Sequence, residues 1–291
     1  MKKILIFSII ILISISSISA ILGENANDYF RKGRLYYDKG EYTRAIYYFS
    51  KAIELEPKTK VFYMGRGLAY NYNRDYNESI SDFNKAILLD PNSAVLYVNR
   101  GFVYYRLGQL QKSMEDFNTA IDLDPNTASA YDNRGSLYYE MGDYNKALED
   151  FNKAISLDNS LTVAYADRGF VYYEKGNYLE SLDNFDKAIE LDPNYAPAYN
   201  GKGYIYYKKE DYNAALNEFN KAIQLSSETH RYFYWGKHSP YVGRGLVYLV
   251  REDYARSLED FNKTIECIRI MQLVIVAEQV YITRLEITIK P

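Results

Sequence analysis

Residues 128–161 read ASAYDNRGSLYYEMGDYNKALEDFNKAISLDNSL. Tyr131, Gly135 and Tyr138 fall at i, i+4 and i+7, one face of a helix. Gly142 then gives a C-cap signal and Asp143 an N-cap signal. Ala147, Phe151, Ala154 and Ile155 make one face of a second helix, which Asp158 and Asn159 end. A helical hairpin this short cannot bury its apolar faces alone and needs copies of itself.

The chain supplies them. Glycine recurs at Gly33, Gly67, Gly101, Gly135, Gly169 and Gly203, each 34 residues from the last. Phe49, Phe83, Phe117, Phe151, Phe185 and Phe219 keep step, as do Ala52, Ala86, Ala120, Ala154, Ala188 and Ala222. Pro57, Pro91, Pro125 and Pro193 close units, with Asn159 and Ser227 in the same slot elsewhere. A seventh unit carries Tyr241, Gly245, Tyr248 and Phe261, displaced by eight because Gly203 to Gly245 is 42 residues.

This pattern resembles the tetratricopeptide repeat (TPR), with its 34-residue period and W…LG…Y…A…F…P signature. Tyr131, Gly135, Tyr138, Ala147, Phe151 and Ala154 fall on it, with Tyr in place of Trp and Arg134 in place of Leu. The match runs from about Ala26 to Ile265. The resemblance implies an all-α fold, a right-handed α-solenoid of helix-turn-helix TPR repeats with fourteen helices. Six repeats are expected over 26–227, an aromatic insertion over 228–237 and a seventh repeat over 238–269.

The physical reading agrees. Gly135 and Ala147 are small, so the two helices of a unit can approach there; Ser79, Ser113, Ser181 and Ser257 keep that volume small in other units. Tyr131 and Tyr138 flank the contact and Phe151 packs from the second helix. Pro125 cannot continue a helix interior, so it ends one unit and frees the next. Stacked units bury a continuous core and contact mainly their neighbours, which removes the size limit on a single core.

Composition bounds the rest. With 47% hydrophobic and 25% charged residues the 291-residue chain is neither disordered nor uniformly membranous. A net charge of −3 gives no case for nucleic acid. One cysteine, Cys267, excludes an intramolecular disulfide and sits in a slot filled elsewhere by leucine. No phosphate-binding loop, H-E-x-x-H or G-x-S-x-G occurs, so neither catalysis nor a small-molecule cofactor is expected.

The ends depart from the repeat. Lys2 and Lys3, an apolar run from Ile4 to Ile13 and small residues to Ala20 read as a secretory signal peptide over 1–20. An uncleaved membrane anchor over Ile4–Leu22 is the alternative. The expected location is therefore periplasmic or extracellular, or membrane-held through that segment. Residues 270–291 form an atypical apolar tail: Met271, Val274, Val276 and Val280 suit a capping helix, Leu285, Ile287 and Ile289 alternate like a strand, and the whole reads as a frameshifted end. The insertion holds His230, Trp235 and, just past it, His238. Packing of Tyr232, Phe233, Tyr234 and Trp235 on the sixth unit is a better reading than a metal site, because two histidines lack further ligands in register.

Two recurring features carry functional expectations. The first follows from the resemblance, since in this family the helical stripe one residue after the core stripe lines the concave, ligand-binding surface. That stripe holds Phe30, Met64, Val98 and Asp132 at its first position. Arg34, Leu68, Phe102, Ser136, Phe170, Tyr204 and Leu246 follow at the second, and Tyr37, Asn71, Tyr105, Tyr139, Tyr173 and Tyr207 at the third. It is an aromatic and aliphatic groove, least apolar in the fourth unit, suited to a protein or peptide partner offering an apolar extended segment or amphipathic helix. The family's Lys–Asn–Arg clamp for a peptide C-terminus is not met, because Phe30 and Arg34 stand where it needs Lys and Asn. The competing reading of the third-position tyrosines is packing against the next unit. An assembly factor of a cell-envelope complex and a glycan-binding module are the alternative functions.

The second feature is a charge series. Arg66, Arg100, Arg134, Arg168 and Arg244 precede the glycine, with Lys32 and Lys202 in the same slot. Sixteen residues on come Asp82, Asp116, Asp150, Glu218 and Asp260, but Tyr48 and Asn184 break the series. The spacing predicts a ladder of exposed ion pairs, each worth about 0–1 kcal/mol.

Overall fold

The computed structural model describes residues 24–228 and 239–266. The expected signal segment, nearly all of the insertion and the apolar tail lie outside them. Helices follow one another in pairs. The first units are α1 (Ala26–Asp38) with α2 (Tyr42–Leu55), α3 (Lys60–Asn73) with α4 (Tyr76–Leu89), and α5 (Ala94–Arg106) with α6 (Leu110–Leu123). Then come α7 (Ala128–Glu140), α8 (Tyr144–Leu157), α9 (Thr162–Glu174) with α10 (Tyr178–Leu191), α11 (Ala196–Lys208) with α12 (Tyr212–Glu228), and α13 (Pro240–Val250). A last helical stretch, α14, covers residues 254–266. There is no strand among the described residues. None of their helices is long and apolar enough to cross a membrane.

The chain divides into two compact units, Met1–Met141 and Gly142–Pro291. The first contains α1–α7 and the second α8–α14. Asn25 opens the first unit with a capping box: its side chain accepts from the Asp28 amide at 3.1 Å, and Asp28 accepts from the Asn25 amide at 3.2 Å. The turn between the helices of a pair needs one left-handed residue. Gly108 (φ 71°) and Gly176 (φ 78°) supply it without strain. Arg74, Glu210 and Glu252 adopt it with a side chain.

Within each unit the core is a column of phenylalanines, Phe49, Phe83 and Phe117 in the first and Phe151, Phe185 and Phe219 in the second, all shut off from solvent. Burying each ring contributes about 2–3 kcal/mol. The repeating glycine exists for this ring. A Cβ at Gly101 would lie 2.8 Å from the Phe117 ring, and one at Gly203 would lie 2.6 Å from Phe219. The glycine thus makes room for the phenylalanine, which sharpens the expected glycine–alanine approach. The serines do more than stay small: Ser79, Ser113, Ser181 and Ser257 donate to the carbonyls of Gly67, Gly101, Gly169 and Gly245 at 2.7, 2.8, 2.7 and 2.9 Å. A buried hydroxyl is thereby satisfied and tied to the neighbouring helix.

Candidate functional site

The charge series forms, and it differs from expectation in three ways. Its aspartates are buried, not exposed: Asp82, Asp116 and Asp260 are at most 5% accessible. Arg66, Arg100 and Arg244 each grip their carboxylate with two hydrogen bonds of 2.6–2.8 Å. The series also continues through Asn184, which accepts from Arg168 Nε at 2.8 Å. Burial lowers the Arg168 pKa there, whereas hydrogen bonds donated to their aspartates raise those of Arg100 and Arg244.

The third difference lies in the remaining guanidinium nitrogen, which reaches back to the preceding repeat. Arg100 donates to Asn84 at 2.6 Å, Arg134 to Asn118 at 2.8 Å and Arg168 to Asn152 at 2.7 Å. Arg66 uses Ser50 at 2.9 Å, and Arg244 reaches Asn220 at 2.7 Å across the insertion. The cations are also framed by the core-stripe tyrosines. Arg100 lies 5.5 Å from the Tyr97 ring and 5.8 Å from Tyr104, and Arg134 lies 5.6 Å from Tyr131 and 5.9 Å from Tyr138. These arginines are structural, and so are the ring faces they cover.

What remains for binding is the stripe beside them. In the first unit Phe30 on α1 packs on Phe49 at 5.5 Å and Phe62 at 5.1 Å between ring centroids. Gly65 on α3 leaves space for these rings, since a Cβ there would stand 3.0 Å from Phe49 and 3.3 Å from Phe30. Between α1 and α3 a pocket of about 440 Å³ opens, lined by Phe30, Arg34, Tyr37, Asp38, Phe49, Val61, Met64, Gly65 and Leu68. Five residues of the expected stripe, Phe30, Arg34, Tyr37, Met64 and Leu68, therefore line one cavity. Asp38, Val61 and Gly65 join it without having been singled out; Asp38 and Val61 follow from their position one turn from stripe residues.

The other expected residues divide. Phe102 and Tyr105 are half-buried on α5, 6.5 Å apart. Tyr139 on α7 and Leu246 on α13 are half-buried too. Phe170 meets Phe185 edge-on at 4.9 Å, and Tyr173 meets Tyr178 at 5.9 Å and Tyr204 at 6.2 Å. Tyr207 lies 6.0 Å from Tyr212. Third-position tyrosines thus pack against other rings, within the repeat and from the next one: Tyr37 also meets Tyr72 at 5.6 Å.

Four residues of the expected stripe belong to the interior. Val98 sits in a core cluster with Ala94, Ala120 and Ala130. Tyr204 is packed on Phe219 and donates to the Ser239 carbonyl at 2.8 Å. Asp132 is 8% exposed. The stripe is a register along the helix, but where neighbouring helices close over it the side chain turns inward. Asn71, also on the stripe, is 4% exposed, and its Oδ1 is buried with no hydrogen-bond partner among the described residues.

Comparison with known proteins supplies the family. Models described as tetratricopeptide repeat match residues 26–59, 92–160 and 196–229, and one described as TPR repeat matches 67–108 and 169–209. The chain belongs to the tetratricopeptide repeat family. No curated protein sequence matches it significantly. Among solved structures, a chain of the APC/C hetero-tetramer Cut9-Hcn1 superposes with a TM-score of 0.66 at 18% identity, over 70% of this chain and 40% of that one. A tetratricopeptide repeat protein from Parabacteroides merdae gives 0.60 at 22% identity, over 84% and 94%. PilW, a type IV pilus biogenesis factor, gives 0.60 at 19%, over 71% and 94%. These likenesses show the TPR fold. TPR proteins are non-catalytic scaffolds that bind protein or peptide partners.

Proposed function

We propose that this TPR protein holds a partner segment against the stripe of its first helices, with the α1–α3 pocket as the anchor point. The observation that carries the reading is the convergence of Phe30, Val61, Met64 and Leu68 on one open cavity of about 440 Å³. Such a cavity admits one or two large apolar side chains, and burial of an anchor of that kind dominates the energetics of protein recognition. Phe102 and Tyr105 on α5 extend the apolar surface within the same unit. In the second unit Phe170, Tyr173 and Tyr207 are held in place by their ring contacts, so they offer preorganised edges. A sugar platform is the weaker reading, because arginines cover the faces of Tyr97, Tyr104, Tyr131 and Tyr138.

The test is quantitative capture from an extract of the source cells, comparing the chain with its Met64→Ala/Leu68→Ala variant. Partners should be lost while the helical circular dichroism signal stays. Equal recovery of the same partners by the folded variant would overturn the reading.

A further inference from the structure

We propose that the α1–α3 pocket selects a segment whose apolar anchor is flanked by an acidic residue, bound by Arg34, and a basic residue, bound by Asp38. The proposal rests on the groove reading and adds the partner's charge pattern and direction.

Several other cations on α1, α2 and α3 are committed to ion pairs. Arg31 pairs with Asp28 at 3.8 Å, Lys32 with Glu24, Arg44 with Glu41 at 2.6 Å, and Arg66 with Asp82 at 2.7 Å. Arg34 lines the pocket, is exposed, and has no ion pair, hydrogen bond or ring contact among the described residues. Asp38 lines the same pocket one turn further along α1 and is equally exposed and without an ion pair there. Four residues apart on one helix, the two could bridge each other. Each instead stands beside the cavity with its charge available.

Position strengthens the argument. Along the second stripe position, Leu68, Phe102, Ser136, Phe170, Tyr204 and Leu246 are all uncharged, and only Arg34 carries a charge. A lone arginine at the mouth of an apolar cavity contributes little in water. When an anchor side chain seats in the cavity, it displaces water from the mouth, and an ion pair made there strengthens as the local dielectric falls. A guanidinium is suited to a carboxylate because it can donate two parallel hydrogen bonds. Because Arg34 precedes Asp38 on α1, the acid-to-base order also fixes the direction in which the segment lies. Opposed charges of this sort set specificity and orientation more than raw affinity.

The experiment pans a displayed random-peptide library on the purified full chain, on Arg34→Glu, on Asp38→Lys and on Met64→Ala/Leu68→Ala. Both charge substitutions fall on exposed side chains, and circular dichroism checks each fold. Peptides enriched on the unaltered chain should carry an apolar residue with Asp or Glu on one side and Lys or Arg on the other. Measured by fluorescence anisotropy, they should bind Arg34→Glu roughly tenfold more weakly, and Arg34→Lys should recover part of the loss. Their affinity for the unaltered chain should also fall with added salt. Enriched peptides without an acidic bias, or equal binding to Arg34→Glu, overturn the proposal while leaving the groove reading intact if Met64→Ala/Leu68→Ala still abolishes binding. Undiminished binding to that last variant, or no enrichment at all, sinks both.

Discussion

Arg100 and Asp116, on the two helices of one repeat, are joined by paired hydrogen bonds: Nε to Oδ2 at 2.8 Å and Nη2 to Oδ1 at 2.6 Å. The carboxylate is 5% exposed, and the arginine's third contact belongs to Asn84 of the repeat before. Removing the cation strands a buried carboxylate, so Arg100→Leu should cost about 3–5 kcal/mol. Arg100→Leu/Asp116→Leu removes both charges and should be less destabilised than the single variant. Urea denaturation of the four proteins in the cycle measures this; a double variant as unstable as the sum of the singles would contradict it.

Asn184 offers the converse. Arg168 there donates to a neutral amide, and burial pushes its pKa down. Asn184→Asp places a carboxylate where Asp82, Asp116 and Asp260 stand in other repeats. It should stabilise the chain by about 1–2 kcal/mol, even though the Asn184 bond to the Glu180 carbonyl is lost. The thermal midpoint should rise by about 2–6 °C; a fall would show that the second unit cannot accept the added charge.

Two glycines separate two causes of instability. A Cβ at Gly201 would lie 2.1 Å from the Phe185 ring, so Gly201→Ala should cost about 1–3 kcal/mol or more by overpacking. Gly176 has open space around it but a φ of 78°, so Gly176→Ala should cost about 1–2 kcal/mol through backbone conformation alone. Trimming the ring with Phe185→Leu should relieve part of the first penalty and none of the second, read from denaturation midpoints.

Alkaline pH should unfold the chain in a definable window. Burial pushes the Tyr173 hydroxyl up to about 12, and Tyr37 and Tyr204 are likewise raised mainly by burial. The unfolded tyrosine loses its proton near pH 10. Between these values the unfolded chain binds fewer protons than the folded one, so stability is intact below about pH 10 and falls as pH rises towards 12. Tyr173→Phe should lessen that loss, and tyrosinate absorbance followed beside circular dichroism should show the buried hydroxyls ionising together with unfolding.

The 34-residue recurrence of Gly101 and Phe117 made the helical pairing legible, because a period in sequence is a period in packing. The charge series was legible as Arg and Asp but not as a link between repeats. Asn84, Asn118 and Asn152 also recur, each just after the phenylalanine, yet an asparagine on a helix surface announces no partner. The placement of the stripe was half legible. Phe30, Met64 and Leu68 share a cavity as their register suggested, whereas Val98 and Tyr204 share the register and lie in the core. Which side chain a neighbouring helix covers depends on the approach of backbones, set in turn by second glycines such as Gly65 and Gly201.

The backward reach of each cation has a consequence for how such a chain can grow. A repeat that brings its own arginine and aspartate also carries, after its phenylalanine, the acceptor that the following arginine requires. A copy inserted in tandem therefore finds a ready acceptor behind it and offers one ahead, and no buried charge is orphaned at the new joint. Even the extra eight residues before the seventh unit respect this rule, since Arg244 still finds Asn220. Duplication by whole units is electrostatically neutral in this architecture, while a cut inside a unit severs a pair. Charge pairing therefore favours gain and loss of whole repeats, and it tolerates added residues between repeats but not within them.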